Sequence, residues 1–261
     1  MRHLHLKSFL IVMIIAMGLI QNVSSQSLSG KEIVEKAYNR ETGEDQTSNL
    51  TMTLINKHGD QRVRKIKQFR KDFGNIEKSI MFFQSPADIK NTSFMNWAYD
   101  SEKNDDQWIY LPALKRVKRI SSDSKSDYFM GSDFTYDDLG DRKLEADNHK
   151  LLDEETIDGK VCYIIESISK DEDYIYSKTI TWIIKDSFIG FKKEFYDEDG
   201  DLLKILFIKE IKEVAGFLII TNSEMNNVQK DHKTSMILED VKINTKISSG
   251  KFSERMMTRG I

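Results

Sequence analysis

Turn chemistry at short, regular intervals is the feature that most limits what this chain can fold into. Asp158-Gly159, residues 186–190, Asp197-Glu198-Asp199-Gly200 and Ala215-Gly216 punctuate the second half of the sequence. Connections of two to four residues with Asp and Gly reverse a strand onto its neighbour, and only the last of these carries Gly without Asp. The first half follows the same plan. Residues 48–55 alternate for most of their length, His58-Gly59-Asp60 turns, and residues 62–69 return. Further strands are expected over 76–83 and 92–99, and over 108–111 and 117–120 on either side of Pro112. Strands that recur about every 10–12 residues predict an antiparallel meander. The chain has just two prolines and no Gly/Ser-rich linker, so residues 26–261 are expected to form a single domain.

One helix is signalled before the strands begin. Ser29-Gly30-Lys31-Glu32 forms a capping box, and Ile33, Val34, Ala37 and Tyr38 follow at helical spacing, with an end expected between Arg40 and Gly43. A twisted sheet of about ten strands curls, and its hollow face needs an apolar cover. The helix can serve as that lid, and any space left beneath it would suit acyl chains.

The N-terminus reads as an export signal. Arg2 and Lys7 precede an apolar run over residues 9–20, and a polar stretch with small residues at Val23 and Ser25 follows. The pattern predicts cleavage between Ser25 and Gln26 and a periplasmic location. The run falls short of the roughly 20 apolar residues that a spanning helix requires. No cysteine lies near the cut, which argues against lipid attachment there. Loss of Arg2 and Lys7 would make a chain of formal charge −3 more acidic, with charges mixed in sign, a surface unlike that of a nucleic-acid binder.

Little in the sequence supports chemistry. Cys162 is the sole cysteine and sits in an apolar strand, Val161-Cys162-Tyr163-Ile164-Ile165, so no internal disulfide can form. His58, His149 and His232 lack ligand spacing. The acidic turn at Asp197 resembles the start of a calcium loop, but Gly200 falls earlier than the glycine such a loop requires and Ile208 stands where the loop needs an acid, so a hairpin turn is expected. Asp133, Asp137, Asp138 and Asp141 read as a solvated loop rather than a metal site. No nucleophile elbow, zinc-protease helix or phosphate loop is present. The expectation is therefore no enzyme activity, no cofactor and no metal.

The most distinctive segment is 105–139, DDQWIYLPALKRVKRISSDSKSDYFMGSDFTYDDL. Trp108, Tyr110, Leu111, Pro112, Ala113, Leu114, Val117, Arg119 and Ile120 are followed by Phe129, Met130, Gly131, Ser132, Asp133, Phe134, Tyr136, Asp138 and Leu139. This succession resembles the signature of the LolA-like outer membrane lipoprotein-sorting protein family, with supporting similarity upstream at 82–89 and 92–94. Outside 79–140 the resemblance is one of layout. It implies an open antiparallel β-barrel of about eleven strands, closed by the N-terminal helix and short helices around an apolar hollow, in the manner of LolA and LolB. It implies a monomeric periplasmic carrier of lipid or lipoprotein acyl chains, with an inner-membrane transporter and an outer-membrane acceptor as partners and no nucleic acid. An alternative within the same resemblance is a sensor or accessory module that binds protein partners of a membrane transporter or signalling system.

The candidate cargo contacts are Trp97, Trp108, Tyr110, Leu114, Phe129, Met130, Phe134 and Tyr136. Aromatic and thioether side chains make adaptable apolar surface, and each also suits ordinary core packing. Strand alternation sends Trp108 and Tyr110 to one face and Ile109 and Leu111 to the other. Gly131 is expected at a positive φ, with Ser132 and Asp133 capping the turn after it. Lys115, Arg116, Lys118 and Arg119 form a basic cluster in an acidic chain. Two readings of it stand side by side: contact with lipid head groups or an acidic partner, and a charged strand pair that discourages edge pairing.

Overall fold

A computed structural model describes residues 27–261; the export signal expected over residues 1–25 lies outside the described residues. Thirteen antiparallel strands form one open sheet that does not close into a barrel. Helix α1 (Gly30–Tyr38) comes first, followed by β1 (Asp45–Ile55), β2 (Gln61–Asp72), β3 (Ile76–Ser85), β4 (Ser93–Tyr99), β5 (Asp106–Leu111) and β6 (Arg116–Arg119). After a long connection of short 3₁₀ turns come β7 (Asp147–Ile157), β8 (Lys160–Ser169), β9 (Lys178–Ile184), β10 (Gly190–Tyr196), β11 (Leu202–Val214), β12 (Phe217–Asn227), β13 (His232–Ile243) and helix α2 (Glu254–Arg259). The sheet order runs β6-β5-β4-β3-β2-β1-β13-β12-β11-β10-β9-β8-β7. Two meanders are thus joined where the first strand pairs with the last, and the edges are β6 and β7. Thirteen strands stand where about eleven are expected. Among the described residues no helix is long and apolar enough to cross a membrane.

Helix α1 begins as its sequence predicts. The Ser29 Oγ accepts from the Glu32 backbone, and the Glu32 carboxylate accepts from the Ser29 N–H at 2.8 Å. It stops at Tyr38, slightly before the expected end. Gly30 is required at the start because a Cβ there would lie 2.6 Å from the Leu151 backbone nitrogen of β7. Ile33 is fully buried against Ile165 and Ile183, so the helix covers the β7–β9 end of the sheet.

Register identifies which residues share a face, because directly opposed residues in antiparallel strands point the same way. Ile165 faces Thr181, Thr181 faces Lys193, and Lys193 faces Leu206. Leu206 faces Met225, Met225 faces Thr234, and Thr234 faces Leu54. This inner face carries α1 at one end and the connection between β6 and β7 at the other. The outer face of β2–β6 is covered by the C-terminal segment, where Ile247, Phe252 and Met257 pack on Ile80, Phe82 and Met95.

Candidate functional site

The inner face of β1–β4 is apolar in alternate positions: Leu50, Met52, Leu54, Ile66, Met81, Phe83 and Phe94. Residues 129–139 lie across it. Phe129 is fully buried there, with its ring 5.1 Å from Phe94, 5.5 Å from Tyr136 and 6.0 Å from Phe83. Met130 and Tyr136 are half-buried on the same cluster. Phe134 reaches the neighbouring cluster of Tyr176, Phe195 and Met225. Each such fully buried side chain stabilises the fold by about 1.5–3 kcal/mol. The segment can turn back across the sheet because Met130 and Gly131 both take left-handed backbone conformations, with φ of 50° and 75°.

Polar ties hold this segment at sheet positions that would otherwise be apolar. Lys204 of β11 is wholly buried, and its Nζ donates to the Asp138 carboxylate at 2.5 Å and to the Asp133 carbonyl at 3.1 Å. The Tyr176 hydroxyl donates to the other Asp138 oxygen at 3.0 Å, and Tyr174 donates to Asp137 at 2.6 Å. Burial, followed by the nearby aspartates, pushes both tyrosine hydroxyls far above their usual range and keeps them neutral donors. The Asp133 carboxylate accepts from Thr234 and contacts His232 Nδ1, both at 2.7 Å. The Arg64 guanidinium donates to the Met130 carbonyl at 2.6 Å, and burial lowers its pKa. Lys193, half-buried on the same face, also has its pKa lowered by burial, against an opposing influence from Asp138.

The candidates named from sequence fall into three places. Phe129, Met130, Phe134 and Tyr136 share the inner face. Trp97, Trp108 and Tyr110 lie on the outer face, beneath the C-terminal cover, with Trp97 and Trp108 in edge contact at 5.0 Å. Leu114 is 67% exposed at the turn between β5 and β6. Lys115, Arg116, Lys118 and Arg119 are exposed at that turn and along the edge strand β6. Lys115 adopts a left-handed φ of 47°, and Arg119 pairs with Asp106. Burial pushes Asp106 upward, but donors from Tyr99, Arg119 and Lys103 outweigh it and hold its pKa down to about 2.

Ser132 caps locally, accepting from the Phe134 N–H at 3.3 Å. Asp133 does not cap that turn; its side chain bonds across to β13 instead. Asp197 accepts from the Asp201 N–H at 2.9 Å and closes a hairpin turn between β10 and β11. Asp141 accepts from Tyr38 at 2.6 Å and from Lys143 at 3.0 Å. Cys162 is fully buried, and burial pushes its thiol pKa up, which suits a packing role. The sequence does not single out Arg64, Tyr174, Tyr176 or Lys204, and His232 enters it only as a histidine without ligand spacing. The one local signal was Lys204, a lone charge within Leu202-Leu203-Lys204-Ile205-Leu206-Phe207.

Comparison with known proteins places this architecture. A family model described as uncharacterized protein matches residues 75–259. No curated protein matches the chain. Among solved structures, a domain from Vibrio parahaemolyticus provisionally named for outer membrane lipoprotein sorting is similar, with a TM-score of 0.83 and 32% identity over 88% of this chain and 98% of that one. A DUF1329 family protein from Desulfovibrio piger gives a TM-score of 0.83 and 28% identity, covering 87% of this chain and 97% of that one. A LolA superfamily protein from Nitrosomonas europaea shares the fold, with a TM-score of 0.67 and 20% identity over 88% of this chain and 99% of that one. The segment that first suggested the relation lies within the matched region, and the chain belongs to the LolA-like outer membrane lipoprotein-sorting protein family.

Proposed function

We propose that this protein is a non-enzymatic periplasmic carrier that shelters lipid or lipoprotein acyl chains on the inner face of its sheet and moves them toward the outer membrane. The observation that carries the reading is the cover of that face. Residues 129–139 place Phe129, Met130, Phe134 and Tyr136 where an acyl chain would lie, and they are tied down by discrete polar bonds. A cover built this way resembles an occupant that can be exchanged. When the segment lifts, the aromatic and Met surface of β1–β4 becomes available, and such surface accepts flexible chains of varied length. Trp97, Trp108 and Tyr110 then act as packing under the C-terminal cover.

The remaining parts of the reading follow from position. Residues 1–25 act as a cleaved export signal, and residues 26–261 work as one monomeric domain. Lys115, Arg116, Lys118 and Arg119 meet anionic head groups or an acidic partner at the membranes that donate and accept the cargo. Lipid extraction and mass spectrometry of the purified protein test the proposal. Acyl lipid that co-purifies and exchanges with added lipid supports it, with loss expected on Met130→Glu. An interior that stays packed, with no bound or exchangeable lipid, sinks it.

A further inference from the structure

The inner face also holds a buried cation without an anion, which acyl chains alone do not explain. Arg64 of β2 stands opposite Met52, and Ile66, two residues on, stands opposite Leu50, so Arg64 belongs to the apolar face itself. It is only 8% exposed. Among the described residues it forms no ion pair. Its hydrogen-bond partners are the Met130 carbonyl, 2.6 Å from Nη2, and the Met52 sulfur, 3.9 Å from Nη1. Both are neutral, and a thioether is a weak acceptor.

A second guanidinium adds to the imbalance. Arg62 stands opposite Leu54 on the same face, about 7 Å along the strand from Arg64. It is exposed at the end of the face next to the turn at 56–60, and among the described residues its side chain has no hydrogen-bond or ionic partner. Burial lowers the pKa of Arg64 most; the exposed Asp88 offsets part of this through space, and the Arg62 charge lowers it further. A guanidinium presents five N–H donors in a planar fork that fits a carboxylate or phosphate, and one carbonyl uses little of it. Burial of a charge stays costly until an opposite charge pairs with it. The Met130 carbonyl belongs to the inner cover, so the oxygen that Arg64 now holds departs when residues 129–139 lift. An anionic oxygen can then take that position, with Arg62 beside it and Ile66, Phe83 and Phe94 continuing the apolar face. Positive charge at one end and apolar surface beyond it is the complement of an anionic amphiphile.

We infer that Arg64, assisted by Arg62, binds the anionic head group, carboxylate or phosphate, of an acyl-chain amphiphile laid along the inner face. The inference rests on the carrier reading and names the class of cargo. Isothermal titration of the purified protein at low ionic strength compares ligands that share a chain and differ in charge. One pair is oleate and oleyl alcohol, and the other is lysophosphatidic acid and monoolein. In at least one pair the charged member is expected to bind about tenfold tighter, and the pair that shows it tells carboxylate from phosphate. Arg64→Met is expected to erase that ratio, Arg64→Lys to retain part of it, and Arg62→Gln to reduce it severalfold. A role confined to holding the cover would move the affinities of charged and neutral ligands together and leave the ratio alone. Equal affinity within both pairs, or a parental ratio in Arg64→Met, overturns the inference and leaves the carrier reading standing. An unchanged ratio in Arg62→Gln, which alters an exposed side chain, overturns it even where Arg64→Met does not fold. Failure of all four ligands to bind overturns both.

Discussion

Two segments cover opposite faces of the same strands, and they are built differently. The C-terminal cover on the outer face is mostly apolar: Ile247, Phe252 and Met257 are all less than 9% exposed and sit on Ile80, Phe82 and Met95. Its backbone is fixed by Asp45, which accepts from the Thr245 and Ile247 N–H groups at 2.7 and 3.0 Å. The inner cover at 129–139 mixes buried aromatics with Met130, Tyr136 and Leu139, which are half-buried. Its ties are ionic or hydrogen-bonded: Lys204 to Asp138, Thr234 to Asp133 and Arg64 to the Met130 carbonyl. Apolar burial resists opening in proportion to area, and nothing in water replaces it. Buried polar ties are strong when complete and fail together when one partner leaves. On the proposed carrier reading, the outer cover is a lock and the inner one a latch.

The largest effect that sharpens this contrast is expected on the outer face. Phe252→Ala removes a ring from a packed cluster and should destabilise the fold by about 3–5 kcal/mol. Chemical denaturation should show the whole molecule losing stability. Next is Lys204→Ala, which leaves Asp138 buried with fewer donors and should cost about 3 kcal/mol. Here hydrogen exchange should accelerate first at 129–139. An equal acceleration at 247–257 would break the distinction between latch and lock.

Smaller effects are expected near β6. Asp106 has a folded pKa of about 2, below the ordinary aspartate value of about 3.9. A depressed pKa stabilises the fold above the unfolded value, and that contribution is lost as pH falls from about 4 through 2. Its partners Arg119 and Lys103 are more than half exposed, so screening reduces the contribution to about 1 kcal/mol. Urea midpoints across that pH range should lose this increment in the parent and not in Asp106→Asn. Least affected should be Arg116→Ala/Lys118→Ala, at about 0.5 kcal/mol or less in stability, since both side chains are exposed. Binding to anionic vesicles should nevertheless fall, and unchanged vesicle binding would favour the edge-protecting reading of the cluster.

Much of the fold was legible because its signals are local. The capping box at Ser29, the Asp/Gly turns and the alternation over 48–55 each act within a few residues, and each appears where the sequence places it. The division of the candidates between two faces was not legible. Alternation shows that Trp108 and Tyr110 share a face, but not that residues 129–136 return across the other one. That outcome depends on the long connection between β6 and β7. The same limit hid the ties. Asp133 reads locally as a turn cap, yet its partners are 99 and 101 residues away at His232 and Thr234. The role of residues 247–257 as the cover of Trp97 and Trp108 likewise exists only in the folded sheet.

Hydrogen exchange of the purified protein with and without a diacyl phospholipid tests the latch most directly. Lipid should increase exchange across 129–139 while 247–257 stays protected, because cargo takes the place of the inner cover and leaves the outer one undisturbed. Bound lipid with unchanged exchange at 129–139, or with opening confined to 247–257, would contradict the account.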